Sequence, residues 1–68
     1  MTYKTRMCYV LMRRTTDPDT GEQKDDLPVA VFYDQETAEG NSEAYNMEMK
    51  EREIEGITFY VTMTASHE

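Results

Sequence analysis

The stretch Tyr33–Gly56, YDQETAEGNSEAYNMEMKEREIEG, decides how the rest of the chain is read. It is an acidic helix with a narrow apolar stripe. Asp34 is a favoured N-cap residue, and Glu36 and Glu39 near the first turn complement the helix dipole. At 100° per residue, Ala38, Ser42, Tyr45 and Met49 fall within about 60° of one another, which suits packing on a sheet. Lys50 and Arg52 lie where cations favour a helix C-terminus, and Gly56 is a natural stop. The Gly40-Asn41 pair costs about 1 kcal/mol relative to good helix formers, so a loose first turn or a bend is expected there.

Downstream, Ile57–Thr64, ITFYVTMT, alternates Ile57, Phe59, Val61 and Met63 with Thr58, Tyr60, Thr62 and Thr64, the pattern of a half-buried strand. The first set is expected to face the helix. Ala65–Glu68 reads as a frayed tail. Upstream, Val29–Tyr33, VAVFY, is a short apolar run that begins after Pro28 and therefore suits an edge strand. The polar run Thr15–Pro28, TTDPDTGEQKDDLP, carries turn chemistry in Asp17-Pro18-Asp19-Thr20-Gly21 and reads as a mobile hairpin loop over 15–28. Tyr3–Arg14, YKTRMCYVLMRR, is apolar on both faces, with Met7, Tyr9 and Leu11 on one and Cys8, Val10 and Met12 on the other. That is the pattern of a central strand.

These elements predict one α+β domain over 1–68. Its expected form is a three-stranded antiparallel sheet, β-β-α-β in spatial order 2-1-3, with one helix on one face. The order places the doubly apolar first strand in the middle and the proline-initiated strand at an edge. One helix cannot cover both faces, so Tyr60, Thr58 and Thr62 are expected on an open face with either the Tyr9 or the Cys8 set. An open face of this kind often marks a contact surface, and a homodimer through it or through an edge strand is one expectation.

The chain has 68 residues, and a domain this small buries only about 60% of the surface of its unfolded form. Cys8 is the only cysteine, so no disulfide forms within the chain, and a small buried hydrophobe is the expected role for it. One cysteine and no export signal point to a reducing compartment, the cytoplasm, or the host cytoplasm for a phage-encoded chain. Nothing approaches the ~18 apolar residues of a membrane span. The net charge of −7 is unevenly placed, +4 over residues 1–14 and −11 over residues 15–68. This balance argues against a general nucleic-acid binder, which needs a basic footprint.

The residue types needed for catalysis are absent or badly placed. The single His67 falls in the tail, the single Cys8 in a strand, and the carboxylates on solvated surfaces, so no triad or paired-acid site is expected and the chain is read as no enzyme. Asp17, Asp19 and Glu22 fail the calcium-loop pattern, because Gly21 sits at the fifth position and Pro28 at the twelfth. No metal or cofactor is expected.

The outward helix face is the candidate site. Glu36, Glu39, Glu43 and Lys50 cluster there, flanked by Glu51 and Glu53, with Met47 and Ile54 also pointing outward. Apolar anchors inside a charged surface fit protein docking, where anchors supply affinity and charge supplies steering. The competing reading makes Met47 or Ile54 a core residue. A short acidic β-β-α-β chain with the junction VFYDQETAE resembles the small early and anti-host proteins of bacteriophages, in element order and not through a specific motif. That resemblance implies a protein that binds and blocks a host factor. The expected partner is a larger host protein with a basic surface. The alternatives are a nucleic-acid mimic, or a nucleic-acid-binding module using Lys4, Arg6, Arg13 and Arg14 with Tyr3 and Tyr9.

Overall fold

The computed structural model describes residues 5–67, in the order β1 (Thr5–Thr16), β2 (Gln23–Phe32), α1 (Gln35–Glu51) and β3 (Ile57–His67). Both β2 and β3 pair antiparallel with β1, giving a three-stranded sheet in the order β2-β1-β3 with one helix. The fold class and strand order are therefore those the sequence predicts. Tyr3 and Lys4 of the expected first strand lie outside the described residues.

The hairpin differs from its expected form. The loop expected over 15–28 contracts to a turn between Thr16 and Gln23, and the polar residues beyond it continue β2. The turn closes on itself through the Asp17 N–H to Glu22 carbonyl bond (2.8 Å) and the Gly21 N–H to Asp17 carbonyl bond (2.7 Å). Asp17 Oδ1 also accepts from the Asp19 N–H at 2.9 Å, and Gly21 takes φ 77°. An edge strand needs its ladder bonds more than an apolar alternation, so QKDDLP can pair with β1 although it lacks a hydrophobic pattern. Two irregularities accommodate it: Val29 is extra between the Leu11–Ala30 and Met12–Pro28 pairs, and Lys24 between Thr15–Asp25 and Thr16–Gln23. Bulges and a proline on an exposed edge discourage a further strand from adding to it.

Residues 65–67, expected in a frayed tail, instead pair as Ala65–Met7, Ser66–Arg6 and His67–Thr5. Because β2 ends opposite Tyr9, the β1–β3 pair continues past it as a two-stranded ribbon.

Directly opposed residues share a face. The pairs Leu11–Val61, Leu11–Ala30 and Arg13–Phe59 therefore place Leu11, Val61, Ala30 and Phe59 together. This is the helix side. Leu11 is 1% exposed, Phe59 is buried, and Ala38 and Ser42 of α1 are buried against them. The Tyr45 ring stacks on Phe59 with centroids 4.9 Å apart, as the helical stripe requires. Met63 belongs to the same alternation yet is 62% exposed, because it pairs with Tyr9 toward the overhanging ribbon. The opposite face carries the Cys8 set, with Val10 opposite Thr62 and Met12 opposite Tyr60. Cys8 is free and buried.

The helix begins as its sequence dictates. Asp34 is the N-cap, with φ −122° and ψ 123°, and its Oδ2 accepts from the Thr37 N–H at 2.8 Å and the Thr37 hydroxyl at 2.7 Å. The Thr37 hydroxyl, and then the Thr37 amide, hold the Asp34 carboxyl below its usual pKa. The helix runs unbroken through Gly40-Asn41, contrary to the expected loose turn or bend; Asn41 Nδ2 donates to the Thr37 carbonyl at 2.8 Å. Its end also differs. The helix stops at Glu51, with Arg52 as C-cap, five residues before Gly56. Glu53 turns left-handed at φ 55° while its N–H bonds the Lys50 carbonyl (3.1 Å), and the Ile54 N–H bonds the Met49 carbonyl (2.9 Å). This is the Schellman arrangement with glutamate in glycine's usual place. Gly56 serves the following turn instead. At φ 83° it presses on the hairpin, where an added Cβ would lie 2.5 Å from the Thr16 carbonyl oxygen.

Candidate partner-binding face

The outward side of α1 is built by helical spacing. Glu36, Glu39, Glu43, Met47 and Lys50 follow one another at intervals of three or four residues, so they form one stripe along the axis. All are exposed, and Met47 is 61% exposed. Glu51, also exposed, flanks the stripe at the last helical position. Within this acidic run Gln35 Nε2 donates to Glu39 Oε1 over a long 3.4 Å. Glu48, beyond Glu51 on the same side of the stripe, pairs with Arg52 at 2.9 Å. The acidic stripe therefore presents unneutralised charge around a thioether.

Ile54 sits differently from its expected place. A place on the helix face beside Met47 requires helix as far as Gly56, but Ile54 lies in the connection after the cap. It is 39% exposed and lines a shallow groove with Met49, Lys50, Glu53 and Glu55. A hydrophobic residue at this position of a Schellman motif commonly covers the one five residues earlier, here Met49. Ile54 thus borders the face and also belongs to the helix stop. A second open groove follows the seam between helix and β3, lined by Glu39, Ser42, Glu43, Phe59, Tyr60 and Val61.

On the other side of the sheet lies a cluster that sequence patterning did not single out. Arg14 and Asp26 are directly opposed on β1 and β2, with Arg14 Nη2 3.5 Å from Asp26 Oδ2. The Tyr60 hydroxyl of β3 donates to the same Oδ2, and the Arg14 guanidinium carbon lies 4.6 Å from the Tyr60 ring centroid. Three strands thus contribute a cation, an anion and an aromatic ring. Donation to Asp26, and then burial, raise the Tyr60 pKa above its ordinary value. Farther along the face, Arg6 lies over the Tyr33 ring at 5.0 Å. The available sequence signal for the first cluster was the opposite charge of Arg14 and Asp26 on either side of the turn; it becomes legible only once β2 extends to Gln23 and Lys24 bulges out of the ladder.

Among the described residues, no group of three or more His, Cys, Asp or Glu side chains is placed to hold a metal ion. No helix among them is long and apolar enough to cross a membrane. The geometry defines a small α+β domain with an acidic helix on one side and an arginine–tyrosine-bearing sheet face on the other. No family model, curated protein or solved structure matches the chain.

Proposed function

We propose that the chain is a non-enzymatic interaction module that docks the acidic face of α1 onto a basic surface of a larger protein, in the manner of phage-type inhibitors of host factors. The observation that carries this reading is Met47, 61% exposed between Glu43 and Lys50 on a stripe that includes Glu36 and Glu39. A large apolar side chain at the centre of a charged helix face contributes nothing to solubility. It supplies the desolvated anchor that a charged rim surrounds in a binding surface. Glu51 and Ile54 extend the same surface toward the helix end.

The test is a quantitative pull-down from bacterial lysate, comparing wild type with an E39K/E43K/M47A variant. Proteins retained by wild type and lost by the variant support the helix face; an identical set of partners from both rejects it. A nucleic-acid-binding module is the second reading, favoured by the two arginine–tyrosine stacks on the open sheet face. Stacking rings beside cations is how single strands are held without sequence preference. Asp26, bonded to Tyr60 and paired with Arg14, places a carboxylate where a phosphate would approach, which weakens that reading. Absence of oligonucleotide binding at low salt removes it.

A further inference from the structure

We infer that the open face of the sheet, the side away from α1, is covered by a second copy of this chain, packed face to face with its strands running in the opposite direction. The inference is independent of what the acidic helix binds.

The first argument is area. The chain exposes 5314 Å², whereas a compact monomer of 8.0 kDa exposes about 4,450 Å², so roughly 860 Å² is in excess. The radius of gyration is 14.5 Å against about 11 Å for a compact chain of this length, and the body spans only 12 Å in its thinnest direction. Elongation to 53 Å and a single layer of core both contribute: among the described residues only Cys8, Leu11, Ala38 and Phe59 are buried apolar residues. A standard protein interface buries about 800 Å² on each partner, close to that excess. Small domains with so little core commonly complete it by oligomerisation.

The second argument is charge. The net charge is −7, yet among the described residues the open face carries Arg6, Arg14 and Asp26, a net of +1. The helix carboxylates lie on the opposite side. Two copies can therefore approach through this face with less repulsion than through any surface that includes α1. A two-fold axis perpendicular to the strands sets the acidic hairpins, with Asp17, Asp19 and Glu22, at opposite ends. It also lays the Arg6 end of each copy toward the hairpin end of the other. Val10, Met12 and Val31 then occupy the middle, with the two sheets about 10 Å apart. Thr58, Thr62 and Thr64 lie on the same face, where their hydroxyls provide polar groups for the rim of the contact.

The experiment is light scattering with sedimentation on the full chain, from about 1 to about 200 µM, where a weak dimer is resolved. The expected result is a mass twice 8.0 kDa at the upper end, falling on dilution, with a Tm that rises with protein concentration. V31E/T62E alters two exposed positions of this face and is expected to hold the mass at 8.0 kDa throughout, while M47E on the helix leaves the dimer intact. A wild-type mass of 8.0 kDa at every concentration, or a dimer that V31E/T62E does not weaken, overturns the inference. Should V31E/T62E fail to fold, the single variant T62E takes its place: a dimer that T62E weakens upholds the inference, and one it leaves unchanged, or a wild-type Tm independent of concentration, overturns it. A single-stranded oligonucleotide that binds wild type and not V31E/T62E, while the protein alone stays at 8.0 kDa, also overturns it.

Discussion

The side-chain amide of Asn46 spans the backbone of Phe59 as a neighbouring strand would. Its Oδ1 accepts from the Phe59 N–H at 2.9 Å, and its Nδ2 donates to the Phe59 carbonyl at 2.8 Å. The Ser42 hydroxyl donates to the same carbonyl at 3.1 Å. The helix thereby satisfies part of the outer edge of β3 while the Phe59 side chain enters the core. N46A leaves both groups without these bonds and is expected to cost about 1–3 kcal/mol. N46D keeps the acceptor but removes the donor and turns a carboxylate oxygen toward the Phe59 carbonyl, so it is expected to be at least as damaging. Urea denaturation checks both; an N46D as stable as wild type would refute the bidentate role.

Gly40 lies inside an unbroken helix, and an added Cβ there meets nothing within 4 Å. Its presence therefore imposes the backbone-entropy penalty of glycine with no packing gain. G40A is expected to stabilise the fold by about 1 kcal/mol, read as a higher denaturation midpoint with unchanged slope.

Two residues of the α1–β3 connection respond to substitution in opposite directions. Glu53 holds φ 55°, a region that costs an L-residue roughly 1–2 kcal/mol, whereas glycine enters it freely. E53G is therefore expected to stabilise by about 1 kcal/mol. Gly56 holds φ 83° with the Thr16 carbonyl in the way of any side chain, while its own carbonyl accepts from the Thr16 N–H at 2.7 Å. G56A must break that approach and is expected to destabilise. Thermal melts of the two variants check the pair, and a stabilising G56A would contradict the geometry.

Strand order was legible because β1 is apolar on both faces and Pro28 marks an edge; these features follow from burial and hydrogen bonding that local sequence expresses. The full length of β2 was not legible, because an edge strand open to water needs no apolar alternation and QKDDLP reads as loop. The helix end was misplaced for a related reason. Gly56 has the residue type of a stop, but the left-handed position fell to Glu53, and periodicity carried past it put Ile54 on a helix face. Asn46 is polar and carries no burial signal of its own, although Ala38, Ser42 and Asn46 recur every four residues along one side. Of the candidate surface, Glu36, Glu39, Glu43, Met47, Lys50 and Glu51 were legible as one exposed stretch of helix, since 3.6-residue periodicity sorts inside from outside. The Arg14–Asp26–Tyr60 cluster was not, because it depends on register across three strands.

That cluster makes the pH response of the sheet predictable. Tyr60 donates to Asp26, and ionising the phenol would remove this bond and set a phenolate beside a carboxylate, so its pKa lies above the ordinary value. A group whose pKa is raised on folding binds its proton more tightly in the native state. Its contribution is fully present below the unfolded value of about 10 and is lost as pH rises through the folded pKa. Wild type is therefore expected to exceed Y60F in stability by a constant margin at neutral pH, with the margin shrinking at alkaline pH. D26N removes the carboxylate and is expected to bring the Tyr60 titration, followed by phenolate absorbance against a Y60F reference, back down toward about 10. A D26N titration identical to wild type would show that Asp26 does not set the proton affinity of Tyr60, and would detach the cluster from the stability of the sheet.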